Sequence, residues 1–535
     1  MRVFSNLIGA CTLGALALPT TASPTRRASK PAYVTHPDRV DAVKAAFQRS
    51  WDGYYKHAFP HDSLKPISNT FSDDRNGWGA SAVDALSTAI VMGNAGAVAQ
   101  ILDHVQHIDF NVAVGDISLF ETTIRYLGGL VSGYDLLMTP EALSPDLKPL
   151  YSNRTLLDAL GHQAENLAKN LMVAFDTPSG IPDNTLRFSP PRRNGSTTNS
   201  IATIGTLVLE WTRLSDITGN PQYGAKAQKG ESYLLDPQPR ALAEPFPGLV
   251  GTNLNITNGQ FLDGTGGWVG GDDSFYEYLI KMYIYDPVKF AGYKDRWVLA
   301  VESSMAHLAS HPASRPDLTF LAMFSGTTPL FISQHLACFD AGNIILGGLV
   351  LNKQQYVDFG LELAASCHDT YTSTVTGIGP ETFSWQDNGT LLAINSSRNG
   401  AAPANQSAFF QKAGFWIVDG QYILRPEVIE SFYYAYRATG DTKYQDWAWD
   451  AFLAINKTCA AGSGYSAINN VMATGGGSFQ DFQESFWFAE VLKYSFLIQA
   501  DDAVYQVQAD NSGDFVYNTE CHPVRAKAKV GKYMY

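Results

Sequence analysis

Thr218-Gly219-Asn220-Pro221-Gln222-Tyr223 and Thr439-Gly440-Asp441-Thr442-Lys443-Tyr444 are near copies of one turn. In each, an apolar helical run ends, a brief polar turn follows, and a tyrosine opens the next helix. Looser versions end at Tyr293 and Tyr356, so Tyr223, Tyr293, Tyr356 and Tyr444 stand 70, 63 and 88 residues apart. That recurrence predicts repeated helical hairpins joined by long loops. Hairpins of this kind bury one face each, so they either stack as an open solenoid or close into a ring. Near-even repeats without capping composition favour a closed α/α barrel. Helical periodicity also runs through Ala80 to Met92, Ile124 to Leu137 and Ala202 to Leu214, while strand-like alternation is scarce and short.

At 535 residues the chain is long enough for about three domains, but no Pro-, Ser- or Gly-rich linker divides it. The expected organisation is a segment 23–34, one barrel domain over 35–523, and a tail 524–535. The polar stretches 183–200 and 386–407 read as loops. A net charge of -13 opposes a nucleic-acid groove and an anionic membrane surface. Aromatic residues make up 12% of the chain. They serve core packing or, where they face a cleft, sugar platforms.

The first residues read as an export signal over 1–22: Arg2, an apolar run from Leu7 to Leu18, then Pro19-Thr20-Thr21-Ala22. That run is too short to span a bilayer. A secreted protein without a membrane span is expected. Arg26-Arg27 is a weak further processing signal. Asn-x-Ser/Thr sequons stand at Asn153, Asn194, Asn255, Asn388, Asn395, Asn405 and Asn456. Cys11 leaves with the signal; Cys338, Cys367, Cys459 and Cys521 remain and allow three pairings. Cys338–Cys367 with Cys459–Cys521 is the preferred one.

Acidic residues sit at or near the starts of several apolar helices: Phe120-Glu121-Thr122-Thr123-Ile124-Arg125, Asp273-Ser274-Phe275-Tyr276-Glu277-Tyr278, Arg425-Pro426-Glu427-Val428-Ile429-Glu430 and the run from Gln483 to Glu490. Each alone is explained by the helix dipole, and Glu121 with Arg125 by an i,i+4 pair. Together, among aromatic and aliphatic neighbours where an unpaired charge is costly, they ask for more. Helices that point their starts at one mouth would deliver four carboxylate-bearing segments to one cavity. Such a cavity suits glycoside hydrolysis, where one carboxyl protonates the leaving oxygen and another activates water.

These segments resemble glycoside hydrolase family 47, the class I α-mannosidases. The resemblance is carried by Gly77-Trp78-Gly79-Ala80 with Val83 to Leu86, Phe120 to Gly129, Asp273 to Met282, His335 to Phe339, Gly377 to Glu381, Leu424 to Ser431, Glu484 to Tyr494, and Asn518-Thr519-Glu520 with His522-Pro523. These stand in family order along most of the chain. The run Val208 to Leu214 resembles the secreted fungal branch. The resemblance implies an all-α fold, an (α/α)7 barrel of helical hairpins with short β-hairpins in its loops. It also implies a calcium-dependent, inverting exo-α-1,2-mannosidase acting on high-mannose N-glycans; a monomer is expected. Glu121 matches the family's general acid, Glu427 its general base, and Asp273 a third catalytic carboxylate. Inversion expects the acid and base carboxyls about 6.5–9.5 Å apart. Thr519 matches the residue that gives calcium a hydroxyl and a carbonyl oxygen. Glu430, Glu490 and Glu520 match carboxylates around that shell; Arg125, Arg425, Phe486 and His335 match substrate-binding positions. Cys338 and Cys367 match a disulfide found in many members. Gly271, where the endoplasmic-reticulum branch carries Arg, implies a roomier site and broader trimming.

Thr203, Ser63 and Ser87 stand where the family usually has carboxylates. They motivate a second reading, a mannose-binding, lectin-like relative that has lost turnover. A third reading is another α/α-barrel hydrolase acting on plant polysaccharide without calcium.

Overall fold

The structure is a computed structural model and describes residues 31–389, 391 and 400–527. The export-signal segment, Arg26-Arg27, the Asn395 sequon and the tail beyond residue 527 lie outside the described residues. Two concentric layers of helix alternate along the chain. The inner helices are Ala80–Met92, 119–137, Val208–Thr218, Asp273–Tyr285, Phe339–Leu351, Glu427–Thr439 and 487–497. The outer helices are Pro37–His57, Ala95–His107, Arg154–Leu171, Gln222–Leu235, Ala291–His307, Gln354–Thr372 and Lys443–Cys459. The last inner helix packs on Ala80–Met92 on one side and Glu427–Thr439 on the other, which closes the ring. The architecture is therefore an (α/α)7 barrel.

Sequence explains which layer each helix joins. Every residue of Ala80–Met92 is buried, so that helix has no solvent face. Arg154–Leu171 instead buries a single stripe of Leu157, Leu160, Ala164, Leu167, Ala168 and Leu171. Each such leucine is worth about 1.5–3 kcal/mol relative to exposure. The two near-copied turns are the hinges of two hairpins and use the same chemistry. Gly219 and Gly440 take φ of +72° and +69°, a conformation only glycine adopts without cost. In both, the preceding threonine hydroxyl donates back four residues at 2.8 Å (Thr218 to Leu214 O, Thr439 to Ala435 O). Tyr223, Tyr293, Tyr356 and Tyr444 are all buried against the core.

Strands are confined to loops, in two- and three-stranded pieces, the longest being Trp416–Asp419. One hairpin matters most. Phe515–Tyr517 pairs antiparallel with Pro523–Arg525 and packs against the inner helices 128–137 and Asp273–Tyr285. It plugs the barrel from within, and its strand carries the packed structure past residue 523. Asn518 anchors the hairpin tip. Its amide donates to Ile124 O at 2.9 Å and Glu210 Oε1 at 2.8 Å, and its Oδ1 accepts from the N–H groups of Glu520 and His522.

Cys338 and Cys367 form a disulfide with their Cα atoms 6.1 Å apart. The Cys459–Cys521 pairing does not form: both thiols are free and buried. Cys459 ends an outer helix beside Tyr371 and Tyr422, whereas Cys521 sits at the central hairpin's tip beside Lys493 and Tyr494. They belong to different layers. Among the described residues no helix is long and apolar enough to cross a membrane.

Candidate active site

The inner helices aim their starts at one end of the barrel, and a cavity of about 240 Å³ opens there. Glu121, Arg125, Asp273, Arg425, Glu427, Glu430, Phe486, Glu490, Thr519 and Glu520 all line it. Residues nearly 400 positions apart in the chain thus meet because the ring brings helix starts together. Two of the contributing segments, Thr122–Leu127 and Trp487–Val491, are π-helical turns. Such turns carry one extra residue and cluster at functional sites. Here they carry Arg125 and Glu490.

The carboxyls of this cavity differ in their surroundings. Burial alone would raise the Glu121 carboxyl, but Arg125 and Arg75 outweigh it and hold the group below its usual range. Arg125 Nη2 lies 2.8 Å from Glu121 Oε2, and Arg75 Nε lies 3.5 Å from the same atom. Asp273 has no such cation. Burial, with Glu277 and Glu427 nearby, pushes it up to about 7, against the hydrogen bond it accepts from Ser274 N at 2.7 Å. Burial would also raise Glu427, yet the hydrogen bond with His335, and then Arg425, hold it low. Arg425 is itself locked in a bidentate pair with Glu381 at 2.6–2.8 Å.

The cavity floor is crowded with acid. Burial first, and then Glu277 and Glu427, raise Glu430 well above the usual range; burial, Glu520, Glu427 and Glu430 do the same to Glu490. Burial pushes Glu520 up to about 8, although Arg125 Nη1 lies 2.9 Å from its Oε1. Its Oε2 is buried with no hydrogen-bond partner. Among the described residues no three His, Cys, Asp or Glu side chains close on one point as a metal ligand set. What the floor offers is Thr519, held by its N–H donating to Tyr278 Oη at 3.2 Å, within this ring of carboxyls.

Several placements were not legible in the sequence. His335 does not line the cavity with the other substrate-binding candidates. It lies behind Glu427, 2% exposed, with Nδ1 2.8 Å from Glu427 Oε2 and Nε2 2.7 Å from Tyr371 Oη. Arg75 arrives from a polar loop with no motif to mark it. Glu277 lines the cavity one turn after Asp273, and that i,i+4 spacing was a usable signal. Of the departures, only Thr203 reaches the cavity, and its hydroxyl bonds Asn199 Oδ1 and Ser200 Oγ. Ser87 sits in a buried network with His522 Nδ1 at 2.9 Å and Lys493 Nζ at 2.8 Å. Ser63 is buried with no partner for its hydroxyl.

The sequence profile of glycosyl hydrolase family 47 matches residues 46–526. The chain is 55% identical over 518 residues to mannosyl-oligosaccharide alpha-1,2-mannosidase 1B of Aspergillus phoenicis, covering 96% of this chain and 97% of that one. It is 56% identical over 486 residues to mannosyl-oligosaccharide alpha-1,2-mannosidase of Penicillium citrinum, covering 91% of each. The solved alpha-1,2-mannosidase from Trichoderma reesei superposes with a TM-score of 0.89 at 54% identity, over 92% of this chain and 100% of that one. Profile, relatives and fold agree with the ring of acidic helix starts: this chain belongs to glycosyl hydrolase family 47.

Proposed function

We infer that this protein is an α-1,2-mannosidase that releases terminal mannose from high-mannose N-glycans with inversion of the anomeric centre. The reading is carried by one observation: Glu121, Asp273 and Glu427, from three separate inner helices, share one cavity, with cations beside Glu121 and Glu427 holding those two low while burial pushes Asp273 up to about 7. Glycoside hydrolysis with inversion needs that division, an ionised base and a protonated acid on opposite sides of the sugar. Glu427, kept ionised by His335 and Arg425, takes the proton of the attacking water. Asp273, pushed up to about 7, holds its proton below that pH and can supply it toward the leaving oxygen. Glu121, ionised between two guanidiniums, orders the acid side and can donate only after taking up a proton itself. Arg125 lies over the Phe486 ring at 5.5 Å, so ring and cation together make a stacked wall for a sugar.

The floor fits a calcium ion. Calcium takes hard oxygen ligands, and Thr519 would hold it with its hydroxyl and carbonyl oxygens. The orphaned Glu520 Oε2 and the mutually repelling Glu430 and Glu490 are the sort of charge a divalent cation relieves. Held there, the ion would supply positive charge and open coordination positions for sugar hydroxyl oxygens. Export signal and sequons support secretion.

The test is incubation of the purified protein with an oligomannose N-glycan, with calcium and with EDTA. Free mannose should appear only with calcium, first as the β anomer. Tight glycan binding without release would favour the lectin-like reading instead. Release unaffected by EDTA would remove calcium from the mechanism.

A further inference from the structure

His335 has no nitrogen left for a sugar, so its contribution must pass through its neighbours. An ionised Glu427 only accepts hydrogen bonds, so His335 Nδ1, 2.8 Å from Oε2, must carry a hydrogen. In the neutral imidazole Nε2 is then bare, and its partner is the Tyr371 hydroxyl at 2.7 Å. We propose that Tyr371 is a positioning residue for the base: by donating to Nε2 it fixes His335 as the Nδ1–H tautomer and so aims one N–H at Glu427. The proposal rests on Glu427 being the base, as read above.

The surroundings hold this arrangement still. The imidazole is walled by the rings of Tyr371 and Tyr422, at centroid distances of 5.6 and 5.7 Å, in a site with almost no solvent access. The disulfide joins the same two segments as the hydrogen bond. Cys338 lies three residues past His335, and Cys367 lies one helical turn before Tyr371 on Gln354–Thr372. The covalent bridge therefore sets the spacing across which Tyr371 reaches Nε2. Without the tyrosine hydroxyl, Nε2 is a buried acceptor with nothing to satisfy it. The imidazole can then take the other tautomer, which turns a lone pair toward Glu427 in place of a donor. Glu427 Oε2 loses its anchor and the water-facing oxygen loses its aim. A misplacement of about 1 Å in a reacting group can cost about 100-fold.

The experiment uses the full chain with an oligomannose N-glycan as substrate and a thio-linked α-1,2-dimannoside as a ground-state ligand. Tyr371→Phe should lower kcat about 10- to 100-fold while KM, and the Kd of the dimannoside, stay within about two-fold. A ligand still bound with that affinity shows the site is folded. His335→Gln keeps an amide N–H for Glu427 that needs no tyrosine, so adding Tyr371→Phe to it should lower kcat no further. A merely structural role for Tyr371 predicts additive losses in the pair. Wild-type kcat in Tyr371→Phe, or additivity with His335→Gln, overturns the proposal while leaving the base reading intact. Full activity in Glu427→Gln overturns the base reading and the proposal with it.

Discussion

Among the carboxyls of the cavity, Glu121, Asp273 and Glu427 are read as catalytic, and what each can do depends on the cations beside it. Asp273 faces no guanidinium, and burial pushes it up to about 7. Its proton is present below that pH and lost above it. If Asp273 supplies the proton, kcat falls as pH rises through about 7, and Asp273→Asn removes that limb together with about 10²–10⁴ of the rate. Glu121, held low by Arg125 and Arg75, contributes no such limb. Glu121→Gln should therefore lower kcat but leave the alkaline fall where it was. A pH–kcat profile of the two variants separates them. At this scale the sequence was informative where spacing or motif repeated a known pattern. Glu427 and Glu430 announced a shared face by being three apart, and Thr519 was recognisable only inside Asn518-Thr519-Glu520. Arg75 and Tyr371 were not legible, since a lone arginine in a loop and a lone tyrosine on an outer helix carry no pattern. Their meaning comes from what the ring folds against them.

At the scale of elements, the polar turns decided the reading because their chemistry is local. Gly219 and Gly440 stop their helices in the left-handed conformation, and each following turn is closed by its own side chains. Their surroundings nevertheless differ. A Cβ on Gly219 would meet nothing within 4 Å, whereas one on Gly440 would lie 2.9 Å from Pro31 Cβ and 3.1 Å from Ala32 O. Gly219→Ala should therefore cost only the backbone term, about 1–2 kcal/mol. Gly440→Ala should cost more, since the N-terminal segment must also move. Thermal unfolding of the two variants measures the difference; equal losses would mean the segment at Pro31 and Ala32 yields freely. The π-helical turns at Thr122–Leu127 and Trp487–Val491 had no comparable signature. An extra residue in an inner helix depends on what the cavity asks of that wall, which local propensity does not report. The Cys459–Cys521 expectation failed for a related reason: an even cysteine count says nothing about which layer each thiol occupies.

The whole molecule carries an unusual load of buried acid, and its stability should depend on pH accordingly. Asp340 opens the inner helix Phe339–Leu351, its Oδ1 buried without a partner, and burial pushes its carboxyl up to about 8. A carboxyl whose pKa is raised by folding keeps its proton in the folded chain while the unfolded chain has lost it. The stability it contributes is complete below the unfolded pKa of about 4 and is lost as pH rises toward about 8, by about 1.4 kcal/mol per pH unit. Glu520, pushed up to about 8, and Glu430 and Glu490, raised well above their usual range, pull in the same direction. Those three face the floor where Thr519 stands, and a divalent cation bound there would offset their repulsion. Asp340 is raised by burial, against only the hydrogen bond from the Ala341 backbone, so its share would be independent of the ion. In EDTA the melting temperature should fall between pH 5 and pH 8, and saturating calcium should flatten most of that fall, because binding to the folded state alone adds stability. Asp340→Asn should raise the melting temperature increasingly toward pH 8, by the same amount with calcium as without it. If the variant's gain vanished once calcium was added, Asp340 would belong to the metal's field, and core acid and floor acid would not be separate.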